Sequence, residues 1–171
     1  MSAEKRWMPR DLGAGLTVAQ AVAAADVEHH PRYQPEGSAT WCNLFVWDVT
    51  RAVLGEAECA PHWIGPDNAP CAPFKGQEAS ANVLCAWLWL AGPKFGWRRA
   101  DAAEAHAAAV AGACALATWA NLGGHGHVAV VLPEADGIRI AQAGRTCFSN
   151  GSLARGFGNK PVTFYVHPAK V

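Results

Sequence analysis

Up to about residue 112 the apolar residues recur at helical spacing, and beyond it they fall in short β-prone runs. Thr17 precedes Val18-Ala19-Gln20-Ala21-Val22-Ala23-Ala24-Ala25, which reads as a helix capped by the Thr17 hydroxyl. A turn-rich stretch from His29 to Ala39 follows, in which Pro31, Pro35 and Gly37 forbid a stable helix. From Cys42 onward Phe45, Val46, Val49 and Val53 form one apolar stripe, predicting a helix that ends near Gly55. Residues 56–78 hold Pro61, Pro66, Pro70, Pro73, Gly65 and Gly76 and read as a long surface loop. Ser80 caps a short, very apolar helix through Leu90, stopped by Gly92-Pro93, and Asp101-Ala102-Ala103-Glu104 is a capping box for an alanine-rich helix ending at Gly112. Strands are predicted at Cys114 to Trp119, His127 to Leu132, Ile138 to Ala143 and Val162 to Val166, with Pro133 to Gly137 as a hairpin loop.

Helices first and strands afterwards argue α+β, with N-terminal helices packed on a C-terminal antiparallel sheet. The 171 residues contain no repeat, low-complexity tract or linker, so the expectation is one domain spanning 1–171. The 14 basic and 14 acidic residues balance, and no electrostatic argument favours nucleic acid or an anionic membrane. The longest apolar stretch, Val83 to Ala91, is too short to span a bilayer. Met1-Ser2-Ala3-Glu4-Lys5-Arg6-Trp7 lacks the apolar run of a secretory signal, which implies synthesis in the cytoplasm. The six cysteines form no paired CxxC and are expected to be reduced, although Cys59 and Cys71 flank a Pro-rich loop that a disulfide would close. Some of the eight tryptophans are candidates for lining a groove.

Candidate chemistry centres on Cys42, which opens an amphipathic helix. There the positive end of the helix dipole and unpaired N–H groups favour the reactive thiolate. A nucleophile needs a base, and Gly124-His125-Gly126-His127-Val128-Ala129-Val130-Val131 offers two histidines at a strand start. His127 directly precedes the apolar run, while Gly126 favours a turn at His125. Gln142 lies in the next strand, joined by a hairpin, where its amide can orient the imidazole. Each residue alone also has a bland reading: a buried core thiol, a structural histidine, a glutamine on the solvent face. His62-Trp63, in the long loop, is a binding candidate for sugar or peptide, or a cover for the core.

Thr40-Trp41-Cys42-Asn43 resembles the segment around the nucleophile of the CHAP amidases and NlpC-type cell-wall peptidases, and Gly126-His127-Val128-Ala129-Val130-Val131 is similar to the CHAP histidine motif. The likeness covers roughly residues 30 to 166. It implies a papain-like fold and hydrolysis of an amide in bacterial peptidoglycan, by an N-acetylmuramoyl-L-alanine amidase or a stem-peptide endopeptidase, with no cofactor or metal. Cys42 would attack the carbonyl, His127 would take and return the proton, and Gln142 would occupy the third position. The Cys42 N–H would stabilise the oxyanion. Gln34 would add a side-chain donor, by analogy with the glutamine that precedes the nucleophile in papain-like proteases, and Tyr33 beside it would touch substrate. A monomeric phage lysin or secreted antibacterial effector, reaching the wall by a route other than general export and acting with a delivery or immunity partner, fits this picture.

Three alternatives stand beside it. Cys59, His62 and Cys71, with His29 and His30 nearby in sequence, are zinc-compatible ligands, though only Cys59 to His62 has tight spacing. A wall-binding module of the same fold would carry function on its aromatic loops. A papain-like hydrolase acting on another amide would use the same machinery.

Overall fold

The computed structural model describes residues 7–168, so the N-terminal tract that argues against an export signal lies, up to Arg6, outside the described residues. Helix α1 (Val18–Ala25) starts in a capping box, with Thr17 accepting from the Gln20 N–H and the Gln20 side chain reaching back. It ends at Asp26, held in a left-handed conformation. Helix α2 (Cys42–Leu54) follows, and every residue in it except Arg51 and Val53 is buried. The predicted long loop instead carries a short hairpin, β1 (Trp63–Ile64) with β2 (Gln77–Glu78), and its stretch from Cys59 to Ile64 is buried. The cause is a second apolar face on α2. Phe45, Val46 and Val49 serve the main core, while Leu44 and Trp47 pack on Cys59 and Trp63. The Ala60 N–H donates to the Thr50 hydroxyl and ties this hairpin to α2.

Helix α3 (Ala81–Leu90) is capped by Ser80, and α4 (Ala102–Val110) by an Asp101/Glu104 capping box, both as expected. Between them lies β3 (Arg98–Ala100), too short and too basic to read as a strand from its own residues. Strands β4 (Cys114–Trp119), β5 (His127–Val131), β6 (Arg139–Gln142) and β8 (Thr163–His167) match the predicted runs to within a residue or two at either end. The segment after Gln142 adds β7 (Phe148–Ser152) and a one-turn helix α5 (Leu153–Phe157). All pairs are antiparallel, in the order β3-β8-β4-β5-β6-β7. The protein is therefore α+β, and no helix among the described residues is long and apolar enough to cross a membrane.

Side-chain alternation assigns the two sheet faces. Leu116, Val128, Val130, Ala141 and Tyr165 face α2 and α3, and α1 packs on α2. Ala115, Ala117, Ala129, Val131, Ile140 and Phe164 face α4 and α5. Alanine dominates where α4 meets the sheet, through Ala105, Ala109, Ala115 and Ala117, and this lets helix and strands approach closely.

One polar knot lies inside the first layer. Asp48, on α2, is 1% exposed and receives the Arg32 guanidinium at 2.6 and 3.2 Å, the Tyr33 hydroxyl at 2.8 Å and the Arg10 N–H at 3.0 Å. Removing one partner of a buried ion pair leaves the other charge without compensation. Asp48→Ala is expected to lower unfolding stability by about 3–5 kcal/mol, measured by urea denaturation.

Candidate active site

Cys42 is the first residue of α2, and the preceding Trp41 gives that helix no side-chain cap. The N–H groups of the first turn therefore have no capping side chain and point out of the helix end. The Cys42 thiol is 4% exposed and lies against the backbone N–H groups of Val128, Asn43 and Cys42 itself. Burial pushes its pKa up and outweighs those donors, so the resting group is a thiol. It borders a cleft of about 160 Å³ shared with Thr40, Trp41, Ser80, Glu78, His125 and Gly126. That space is smaller than the ~300 Å³ at which drug-sized ligand sites begin, so it admits one residue-sized group.

His127 and Gln142 are brought together as expected, with His127 Nε2 2.7 Å from Gln142 Oε1. The Gln142 amide is oriented by its other end, where Nε2 donates to the Thr146 carbonyl at 3.0 Å. Gln142 Oε1 must therefore accept, which places the imidazole proton on Nε2 and leaves a lone pair on Nδ1. Burial lowers the His127 pKa, opposed by the Gln142 bond, so the ring is neutral at neutral pH.

The thiol and this imidazole do not share a hydrogen bond. Val128 faces α2, so alternation turns His127 toward α5, and its ring packs on Phe157 at 4.9 Å between centroids. Cys42 instead meets the peptide N–H of Val128, the residue directly after His127. His125, expected to lie in a turn, is exposed and lines the Cys42 cleft.

The expected substrate contacts are placed differently. Tyr33 is wholly buried, and its hydroxyl is spent on Asp48; burial and that carboxylate raise its pKa. Gln34 Nε2 donates to the carbonyls of Val27 and Glu28 at 3.0 and 3.1 Å, so both its N–H groups are engaged away from Cys42. Its carbonyl accepts from Trp41 Nε1 at 3.0 Å, which makes Gln34 a support for the residue before the nucleophile candidate. Trp63 is 8% exposed and edge-on to the fully buried His62. His62 is stacked between Trp7 and Trp47, at 5.5 and 5.2 Å. These two rings cover the core instead of standing in a groove, because α2's second apolar face captures the hairpin.

Asn43 explains the state of His62. Its Nδ2 donates to the Ala79 carbonyl at 2.9 Å and to His62 Nδ1 at 3.2 Å, leaving the His62 proton on Nε2, 3.9 Å from a Glu78 carboxylate oxygen. All six cysteines are free thiols, Cys59 and Cys71 included. Among the described residues no three His, Cys, Asp or Glu side chains gather as a metal-ligand set. His29 is paired with Asp26 at 2.8 Å, and His30 Nδ1 accepts from the Arg32 N–H.

Ser80, Glu78, Asn43 and Asn82 were not singled out as site residues in the sequence. The first two sit in the cleft wall, brought there by the β2–α3 junction. Ser80 was legible only as a helix cap, and Asn43 had a signal as a polar residue in an otherwise apolar helix; Glu78 and Asn82 had none. Compared with known proteins, the chain matches no protein-family model and no curated protein.

Burial pushes the His62 pKa down to about 3. An imidazole depressed below its usual value near 6.5 takes its proton mainly in the unfolded chain. The stability this group contributes is complete above pH 6.5 and is lost as pH falls toward 3, by up to about 1.4 kcal/mol per pH unit. His62→Phe is expected to flatten that acid limb, measured as urea stability from pH 7 to about 4.

Proposed function

We propose that the protein is a cysteine hydrolase that cleaves an amide bond in bacterial peptidoglycan, with Cys42 as nucleophile. One observation carries the reading. A thiol at an uncapped helix N-terminus touches the Val128 N–H, and the adjoining His127 is a neutral imidazole whose tautomer Gln142 holds. The choice of peptidoglycan rests on the likeness of Thr40–Asn43 and Gly126–Val131 to the CHAP and NlpC motifs.

Because the buried thiol is protonated at rest, attack requires a base to remove its proton as the sulfur–carbon bond forms. The resemblance assigns that step to His127, whose Nδ1 carries the unshared pair; its ring lies on the α5 face beside Phe157 and Gln142, so reaching Cys42 requires the backbone at the strand start to rearrange. The oxyanion would lie against the first-turn N–H groups of α2. The imidazolium then protonates the leaving amine as the carbon–nitrogen bond breaks. Water, activated by the same ring, splits the thioester and releases the carboxylate and the thiol.

His125 is a second candidate base, because it already shares the cleft with Cys42. A non-catalytic wall-binding protein of the same fold is the second reading of function. The burial of Cys42 favours it.

Digestion of purified cell walls, followed by mass spectrometry of the soluble fragments, is expected to show one new amine paired with one new carboxylate. Cys42→Ala should abolish release, and His127→Ala should lower it by about 10²–10⁴. Gln142→Leu should cost about tenfold, the scale of one orienting hydrogen bond. Loss on His125→Ala but not on His127→Ala would transfer the base to His125. Co-sedimentation of wild type and Cys42→Ala with walls, with digestion by neither, would establish the binding module.

A further inference from the structure

The loop from Ala120 to Gly126 delivers the histidine segment to Cys42, yet little apolar burial holds it. Leu122, Gly123, Gly124 and His125 are all exposed, and three of its seven residues are glycine. Ordering such a stretch carries a large backbone entropy cost, so specific bonds must hold it.

Those bonds converge on one side chain. Asn82 lies in the first turn of α3, where an asparagine would ordinarily bond to its own helix. Ser80 already caps that helix through the Val83 N–H, which frees the Asn82 amide to face the loop. Asn82 Oδ1 accepts from the Asn121 N–H at 2.8 Å. Its Nδ2 donates to the carbonyls of Asn121 at 2.9 Å and Gly124 at 2.8 Å. Asn121 passes the constraint on, its Nδ2 donating to the His125 carbonyl at 3.3 Å. Gly126 completes the fit, since a Cβ there would lie 2.4 Å from Asn82 Oδ1 and 2.7 Å from the Trp119 carbonyl.

We propose that Asn82 is the positioning residue of the histidine segment: its amide clamps both ends of the 121–124 turn and so sets where His125 and His127 stand relative to Cys42. The functional part of this rests on Cys42 acting as the nucleophile. Asn82 touches no reacting atom and acts through the loop alone. The same first turn of α3 supplies Ala81 to the Cys42 cleft, so one element fixes the cleft wall and the histidines together.

The test uses the full chain carrying Asn82→Ala, and separately Gly126→Ala, which displaces the same contact from the loop side. Near-ultraviolet circular dichroism first checks that each variant is folded; should Asn82→Ala be unfolded, Gly126→Ala decides. Three readouts are expected to change. Amide hydrogen exchange across 121–126 should quicken at least about tenfold. Alkylation of Cys42 by iodoacetamide, quantified on its own peptide, should depart from the wild-type pH profile in the direction that His125→Ala, the histidine sharing the cleft, changes it. Wall digestion should lose at least about tenfold in kcat with KM little changed. Exchange at the wild-type rate would overturn the clamp even if Cys42 is the nucleophile. Quickened exchange with a wild-type alkylation profile and kcat would overturn its positioning role. Full digestion by Cys42→Ala would instead bring down the nucleophile reading, and leave exchange to judge the clamp.

Discussion

Helix α2 is buried on almost every side, and its single carboxylate, Asp48, has to be met inside the protein. Water cannot reach it, so the chain must bring donors to it, and it brings three: Arg32, Tyr33 and the Arg10 backbone. This demand organises the region around the candidate site. It pulls residues 10–34 across the helix, buries Tyr33, and carries Gln34 to the position where its carbonyl holds Trp41. Trp41 leads directly into Cys42. A buried carboxylate six residues into the helix thus shapes the entry to the helix end.

The same burial governs the chemistry available at Cys42. A helix N-terminus alone would favour the thiolate, but at 4% exposure desolvation prevails and the thiol keeps its proton. Such a sulfur works only in concert with a base. The chain from the Thr146 carbonyl through Gln142 leaves His127 Nδ1 unprotonated. The alternation of β5 points its ring toward Phe157, so the two groups approach the strand start from opposite faces. His125, two residues before the regular strand, escapes that alternation and stands in the cleft.

Much of the fold was legible because its signals are local. Thr17, Ser80 and Asp101 cap helices by bonding to N–H groups three residues on, and such bonds need nothing from the rest of the chain. The apolar runs of β4, β5, β6 and β8 carried their own β preference. Strand β3, by contrast, exists because Arg98–Ala100 lies beside β8, and the hairpin of β1 and β2 exists because Leu44 and Trp47 offer it a surface. Neither neighbour is visible from the segment itself. For the site, Cys42 at a helix start and the His127–Gln142 pair on adjacent strands could be read from position and hairpin connectivity. The burial of His62, Trp63 and Tyr33 could not, since an aromatic in a Pro-rich stretch looks alike whether solvent or a helix face covers it.

By itself the sequence determined helices α1 to α4, their order before the main strands, and the antiparallel pairing of β5 with β6. Capping, apolar period and short hairpins act over a few residues, where chain connectivity limits the choices. Only the tertiary structure decided which groups surround Cys42. It set the thiol against Val128, turned His127 to the far face, gave His125 to the cleft and let Asn82 grip the loop from a helix some forty residues away. Those outcomes depend on which face of each element meets another, and that is settled by burial and hydrogen-bond satisfaction across the whole core.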